Sequence, residues 1–168
     1  MKNYDFLNEY YCKVSSDDAI LYNELSNKAI DLGYTPTRDK TKCISVSFRN
    51  NKTKFTIMKF AEERTNEFIW KFKFAANKNY SKIFDECIKQ CDEGIRHSMV
   101  KYGFKNVTCF GCAKCVNEKK LFYSIEYNDG RKYKVCGNIF IHINEISKEI
   151  VEEAGEMMKV QHGKLIEE

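Results

Sequence analysis

The cysteines of the segment TCFGCAKC have the spacing of metal ligands. Cys109, Cys112 and Cys115 form two overlapping Cys-x2-Cys pairs. Such a pair suits tetrahedral zinc, because a tight turn can direct both thiolates to one point. A fourth thiolate is available from Cys136, further along the chain. The sequence therefore predicts a metal site formed by Cys109, Cys112, Cys115 and Cys136, with zinc as the metal.

Other interpretations of these cysteines stay open. Zinc ribbons usually have two separate Cys-x2-Cys pairs, whereas here the two pairs share Cys112. The triplet also opens the pattern of bacterial ferredoxins, but that pattern next needs a cysteine where this chain has Lys119. An iron–sulfur cluster is thus less well supported than zinc. The thiols could also form a redox pair, or remain reduced without any ligand.

A zinc ion held by four thiolates has no open coordination position, so it would be structural and not catalytic. The sequence offers little other chemistry. It contains neither a glycine-rich phosphate loop nor a G-x-S-x-G motif. Of the histidines His97, His142 and His162, only His142 is considered as a replacement zinc ligand, in case Cys136 does not reach the metal. The sequence therefore argues against an enzyme without excluding one.

The remaining cysteines fit structural positions. Cys87 and Cys91 lie one helical turn apart within the apolar stripe of a predicted helix, where cysteine packs as a small hydrophobic residue. Cys12 and Cys43 have no neighbouring cysteine in the sequence. Nothing in the pattern marks any of these four as a nucleophile.

Hydrophobic periodicity predicts the elements that must position the metal site. The expected order is α-β-β-β-α, then the cysteine loop, then β-β-α, which describes an α+β fold. About five antiparallel strands in two hairpin units would pack against three main helices. The predicted helices are 15–32, 81–101 and one that begins after Asn144, and the predicted strands are 44–48, 55–60, 68–74, 121–125 and 133–143.

Two turns are expected to fix the strand pairing. Asn50 and Asn51 fit a two-residue turn, because asparagine tolerates positive φ. Asp129-Gly130 is the stronger hairpin signal. A two-residue turn there would place Cys136 opposite Tyr123.

Length and composition fit one domain. The 168 residues include 43% hydrophobic and 14% aromatic residues, which suffices for a core. The prediction is a single domain, 1–168. A subdivision near residue 105 is an alternative, with 106–143 as a cysteine-rich hairpin substructure.

Charge and hydropathy restrict the partners and the compartment. The net charge of +4 comes from 28 basic and 24 acidic residues, and the pI of 8.5 is below the value of about 9 typical of nucleic-acid binders. No apolar run approaches the ~20 residues that cross a bilayer, so no membrane role is expected. The N-terminus lacks a signal-peptide pattern, which predicts a cytoplasmic protein with reduced thiols. The abundance of Lys, Asn, Ile and Tyr suggests an AT-rich, bacterial source.

The sequence favours a ligand-sensing or ligand-binding domain. Tyrosines beyond the needs of a minimal core could line a pocket for a small apolar or aromatic ligand. They are Tyr10, Tyr11, Tyr80, Tyr123 and Tyr127. The alternatives are a thiol redox protein that uses Cys109, Cys112 and Cys115, or a nucleic-acid or partner-binding module. The latter would use the Lys71 and Lys73 face of the strand FIWKFKF. No feature of the sequence indicates an oligomeric state.

Overall fold

The computed structural model of the chain describes residues 4–73, 122–126, 132–136, 140–143 and 146–166. The helices are α1 (Asp5–Tyr11), α2 (Ser16–Asp31) and α3 (Lys148–Ile166). The strands are β1 (Tyr34–Arg38), β2 (Ser45–Asn50), β3 (Thr56–Glu62), β4 (Phe68–Phe72), β5 (Phe122–Glu126), β6 (Lys132–Cys136) and β7 (Ile141–Ile143). The helix predicted over 81–101, the cysteine loop and the possible boundary near residue 105 lie outside the described residues.

The described strands form two antiparallel sheets. The main sheet has five strands in the order β1-β2-β3-β4-β7, and β5 and β6 pair as a separate two-stranded sheet. The α+β class with an antiparallel sheet is therefore confirmed. The strands along the chain differ from the expected ones, because the segment predicted as one strand over 133–143 is two strands that belong to different sheets.

Helix α2 begins and ends where the sequence predicts. The Ser15 hydroxyl accepts a hydrogen bond from the Asp18 backbone N–H at 3.1 Å, which caps the first turn. Asp17 and Asp18 add negative charge near the positive end of the helix dipole. Gly33 follows the helix with φ +81°, a left-handed conformation that glycine adopts without a Cβ clash.

The sequence analysis did not predict strand β1. Proline lacks a backbone N–H and is tolerated in a sheet mainly on edge strands. Among the described strands β1 pairs only with β2, and Pro36 lies opposite Phe48. The proline therefore indicates which strand is at the edge.

The connection between β2 and β3 is longer than the expected two-residue turn. Asn50 is the last residue of β2, and its side-chain oxygen accepts hydrogen bonds from the backbone N–H groups of Lys52 (2.9 Å) and Thr53 (3.1 Å). Lys54 then adopts φ 58°. An Asn side chain that accepts from the following backbone is a common way to build such a turn. A register shift at Phe48/Arg49 accompanies it.

The core lies between the three helices and one face of the main sheet. Val46, Phe60, Trp70 and Ile143 are paired in one row across four strands, and all four are buried. The neighbouring row contains Pro36, Phe48, Met58 and Phe72. Strand alternation predicted the inward face of β4, and the burial of Trp70 and Phe72 confirms it.

Helix α3 covers this face with the predicted apolar stripe. Its buried members pack in the same cluster as the sheet residues and are Ile150, Val151, Ala154, Met157 and Met158. The start of the helix differs from the expected cap at Asn144. The Ser147 hydroxyl instead accepts a hydrogen bond from the Ile150 backbone N–H at 3.3 Å.

The β5–β6 ribbon has a register one residue away from the expected one. Cys136 lies opposite Phe122, and Tyr123 lies opposite Val135. A two-residue turn at Asp129-Gly130 would have placed Cys136 opposite Tyr123. The described pairs have an odd number of residues between them, which a two-residue loop cannot give.

We expect Gly33→Ala to destabilise the fold by about 1 kcal/mol, because alanine is strained at φ +81°. The matched control is Gly163→Ala in α3. Apart from the helix's own backbone and the adjacent residues, no described atom lies within 4 Å of a Cβ built at Gly163, so this change should stabilise by about 0.5–1 kcal/mol through helix propensity. Urea denaturation of both variants measures the two effects. Equal shifts in the same direction would contradict the assignment of strain to Gly33.

Candidate functional site

The described residues include one of the four predicted metal ligands. Cys136 is the last residue of β6. Cys109, Cys112 and Cys115 lie outside the described residues, so the predicted convergence of the four sulfurs stays a prediction. His142, the possible replacement ligand, lies opposite Lys71 in the main sheet and not in the ribbon that contains Cys136.

The other side chains that the structure describes do not supply an alternative metal centre. Within the described ranges, no group of three His, Cys, Asp or Glu side chains could hold a metal ion. Cys12 is exposed and Cys43 is partly exposed, and both are free thiols. These two cysteines therefore serve as controls for any thiol chemistry assigned elsewhere in the chain.

Two of the tyrosines predicted to line a pocket, Tyr10 and Tyr11, instead pack within the fold. The Tyr10 ring is fully buried and stacks on Phe60 at a centroid distance of 5.3 Å. Burial raises the pKa of the Tyr10 hydroxyl far above its ordinary value. Tyr11 shares a 2.7 Å hydrogen bond with the Ser26 hydroxyl. Both residues wedge α1 against α2 and the sheet, while Tyr80 and Tyr127 lie outside the described residues.

The lysines on the opposite face of the sheet are already engaged. Lys59 Nζ lies 2.9 Å from Asp39 and Lys71 Nζ lies 2.6 Å from Glu63. Lys73 Nζ lies 4.4 Å from the centre of the Phe140 ring. A nucleic-acid surface needs lysines free to replace the counterions of phosphates. Lys59 and Lys71 are thus paired with carboxylates, while Lys73 keeps its charge beside a neutral ring.

Asp39 is the centre of the polar contacts on this face. Its carboxylate accepts hydrogen bonds from the Ser45 and Ser47 hydroxyls, each at 2.7 Å, and from Lys59. Its backbone N–H donates to the Ser45 carbonyl at 2.8 Å. Partial burial alone would raise the pKa of Asp39, but the three side-chain donors outweigh it and lower that pKa below its ordinary value. The cluster therefore fastens the β1–β2 connection to the sheet.

We expect Asp39→Asn to lower the free energy of unfolding by about 1–2 kcal/mol at pH 7, because the charge-assisted bonds are lost. A carboxyl with a depressed folded pKa stabilises above its unfolded pKa, near 3.9, and loses that contribution as pH falls through the folded value. The difference in the free energy of unfolding between the wild type and the variant should thus become smaller below about pH 4. Urea denaturation from pH 7 to 3 measures it. A gap that stays constant over this range would contradict the assignment.

A groove between the end of α2, the β2–β3 turn and the end of α3 is the best candidate for a binding site among the described residues. We name it the terminal groove, and it has a volume of about 640 Å³. Its described lining residues are Leu32, Gly33, Asn50, Asn51, Lys52, Thr53, His162, Leu165 and Ile166. The volume falls within the roughly 300–1,000 Å³ of ordinary small-molecule sites.

Three distant segments build the terminal groove. The residues after α2 form one wall, the β2–β3 turn a second, and the last turn of α3 the third. Asn50 joins the first two walls, because its side-chain N–H donates to the Gly33 carbonyl at 3.3 Å while its oxygen holds the turn. The shape of the groove is thus fixed by the same bonds that end the helix and the strand.

Near the groove, two buried polar atoms have no hydrogen-bond partner among the described residues. They are the Tyr34 hydroxyl and His162 Nδ1. The two rings meet edge to face, with centroids 5.6 Å apart, and His162 lines the groove. The Tyr34 side chain is 1% exposed, and its burial raises the pKa of the hydroxyl well above the ordinary value. The hydroxyl therefore stays protonated and can donate.

A second cavity, of about 470 Å³, lies between the α1–α2 connection and the sheet. Its polar groups are more fully occupied. Lys13 Nζ lies 2.9 and 3.0 Å from the two carboxylate oxygens of Glu62, and the Ser15 hydroxyl caps α2. The terminal groove is the stronger candidate because it is larger and because none of its described lining residues forms an ion pair with another described side chain.

Sequence reasoning did not find the terminal groove. Tyr34 and His162 are far apart in the chain, and neither belongs to a motif. The sequence predicted only two local features of this region, the end of α2 before Gly33 and a turn at Asn50-Asn51.

Comparison with known proteins finds no matching family model, no matching curated protein and no matching solved structure. Among the described helices, none combines the length and the apolar character needed to cross a membrane. The function must therefore be inferred from the residues and the geometry of this chain.

Proposed function

We propose that this chain is a small ligand-binding or ligand-sensing domain and not a catalyst. In this proposal the terminal groove holds a small apolar or aromatic molecule. A structural zinc ion, bound by Cys109, Cys112, Cys115 and Cys136, stabilises the cysteine-rich part of the chain.

The observation that carries the binding role is the terminal groove itself, whose volume of about 640 Å³ lies within the range of ordinary small-molecule sites. Its described walls include the apolar side chains of Leu32, Leu165 and Ile166, together with the polar side chain of His162. Apolar walls with a few placed polar groups are the usual composition of small-molecule sites.

The zinc component is supported by the spacing of the cysteines. Three thiols within one short segment can reach one metal ion, and four thiolates give zinc its preferred closed tetrahedral shell. Cys136 ends a strand that pairs with β5, so its backbone is held in place. A zinc ion there would tie the loop to the ribbon.

Elemental analysis with a thiol titration tests the metal. The expected result is one zinc per chain, with the thiols of Cys109, Cys112, Cys115 and Cys136 among those of the eight cysteines that stay protected until the protein is denatured. No metal, together with free titration of these four thiols in the native protein, would remove the zinc proposal. A brown protein absorbing near about 400 nm would transfer the site to an iron–sulfur cluster. Rapid alkylation at neutral pH of metal-free protein would favour the redox alternative.

An NMR titration with indole, a small neutral aromatic probe, tests the binding role. Saturable shifts are expected at the amides of Gly33, Asn51 and Thr53, which line the groove. The matched variant is Leu165→Asn, which makes one wall polar and should weaken the shifts. Absence of shifts at these amides, or shifts spread evenly over the surface, would contradict the proposed groove.

A further inference from the structure

We propose that the β2–β3 turn binds the phosphate backbone of a nucleic acid through Arg49, Lys52 and Lys54. We name these three residues the basic turn. The inference goes beyond the proposed function and does not rest on it, because it would hold even if the terminal groove bound no ligand.

The basic turn belongs to a stretch of the chain without negative charge. Between Asp39 and Glu62 the sequence contains neither Asp nor Glu. The three side chains are exposed, and none of them forms an ion pair with a described side chain. Arg49 lies opposite Thr35 in β1 and Thr56 in β3, so its cross-strand neighbours are uncharged. The turn therefore presents three positive charges that the described fold does not neutralise.

The charge of the whole chain understates this local charge. The described helices carry exposed acidic residues, among them Asp17, Asp31, Glu149, Glu152 and Glu156. The pI of 8.5 averages these acidic helices with the basic turn. A nucleic-acid site depends on how the basic residues are distributed over the surface as well as on the net charge.

Hydrogen bonds hold the basic turn in a fixed shape. The Asn50 backbone N–H donates to the Phe55 carbonyl at 2.9 Å, and the Asn50 side chain accepts from two further N–H groups of the turn. The Phe55 N–H donates to the Thr53 hydroxyl oxygen at 3.4 Å. A turn that is already ordered binds without the entropic cost of fixing its backbone.

Lys54 adopts a backbone conformation that is unfavourable for lysine. Its φ of 58° lies in the left-handed region, where a residue with a Cβ is strained. The other described non-glycine residue with positive φ is Asn66, and asparagine tolerates this region better than most residues. Glycine or asparagine would fit position 54 with less strain. A role for the positive charge accounts for a lysine at this position.

The density of negative charge favours a nucleic acid over an acidic protein. A DNA duplex has one charge per about 1.7 Å of its axis, so several phosphates lie within reach of three cations on one short turn. An extended acidic peptide presents one side chain on a given face only every ~7 Å. The remaining side chains of the turn, such as Asn51 and Thr53, are polar types that also contact phosphates and sugars.

Fluorescence anisotropy of the full chain with a short labelled DNA duplex tests the proposal. Three phosphate contacts should raise the Kd about 40-fold when the NaCl concentration rises fourfold, from about 10 to 40 mM. Lys54→Gln removes one contact and should reduce this rise to about 12-fold. Lys42→Gln is the matched control, because Lys42 is an exposed lysine that precedes the opposite end of β2. It should leave the rise unchanged.

A second variant separates loss of binding from loss of folding. Lys54→Gly removes the charge and the backbone strain together. It should show the weakened salt dependence of Lys54→Gln, while its urea midpoint stays equal to or above that of the wild type. A weaker salt dependence in this variant therefore cannot come from unfolding.

The remaining outcomes overturn the proposal. They are no binding at about 10 mM NaCl, an unchanged salt dependence in Lys54→Gln, and an equal reduction in Lys42→Gln. Equal or tighter binding of a poly-glutamate peptide would assign the basic turn to acidic proteins and would also overturn it. The indole titration is independent of these results, so failure of either proposal leaves the other standing.

Discussion

Replacement of Phe60 by alanine is expected to lower the free energy of unfolding by about 3–5 kcal/mol. Phe60 is fully buried in β3, at the centre of the main sheet. Its ring meets the rings of Tyr10, Tyr22 and Phe48 at centroid distances of 5.3, 4.8 and 5.1 Å. The truncation would remove contacts with α1, α2 and β2 together.

The loss is large because domains of this size are stable by only about 5–15 kcal/mol. Equilibrium urea denaturation measures the change. Ile20→Ala in α2 is the control, since Ile20 is 66% exposed and its truncation should cost less than about 0.5 kcal/mol. Similar losses in the two variants would show that Phe60 is not at the centre of the core.

Replacement of Cys112 by serine is expected to abolish stoichiometric zinc binding. Cys112 belongs to both overlapping Cys-x2-Cys pairs, so its loss leaves no intact pair. Removal of a direct ligand should weaken zinc affinity by more than about 100-fold, which exceeds the 10–100-fold typical of outer partners. Because zinc binding is coupled to folding, the variant should also unfold at lower urea concentration.

Competition with a chromogenic chelator measures the zinc affinity of the wild type and the variant. Cys12→Ser is the matched control, because Cys12 is an exposed free thiol in the described part of the chain. It should keep one zinc per chain. Retention of zinc by Cys112→Ser with unchanged affinity would remove this residue from the ligand set, and loss of zinc in both variants would point to non-specific binding.

Local patterns predicted the parts of the fold that depend on local chemistry. The capping serine and the glycine after α2 define that helix from neighbouring residues alone. Strand alternation identified the buried face of β4, and helical spacing identified the buried stripe of α3. These signals succeed because one face of each element must be removed from water.

Strand partnership could not be predicted in the same way. The sequence predicts one strand over 133–143, yet Lys132–Cys136 pairs with β5 and Ile141–Ile143 pairs with β4. Side-chain alternation records that a face is buried but does not record which sheet buries it.

The terminal groove depends on long-range geometry even more strongly. Tyr34 and His162 become neighbours only when α3 packs beside α2 and β1. A buried hydroxyl without a partner cannot be read from a sequence, because the partner is decided by the fold. For the metal site the situation is reversed. The spacing of the cysteines in the sequence predicts the site, while the described residues include only one of its four ligands, Cys136.

The edges of the main sheet have a consequence for assembly. At one edge, β1 contains Pro36, which cannot donate a hydrogen bond to an added strand. At the other, β7 has only three residues and offers a short row of backbone groups. Short or proline-bearing borders of this kind discourage strand-to-strand aggregation between molecules. Among the described strands, neither edge therefore offers a long row of backbone groups to a partner that binds by adding a strand.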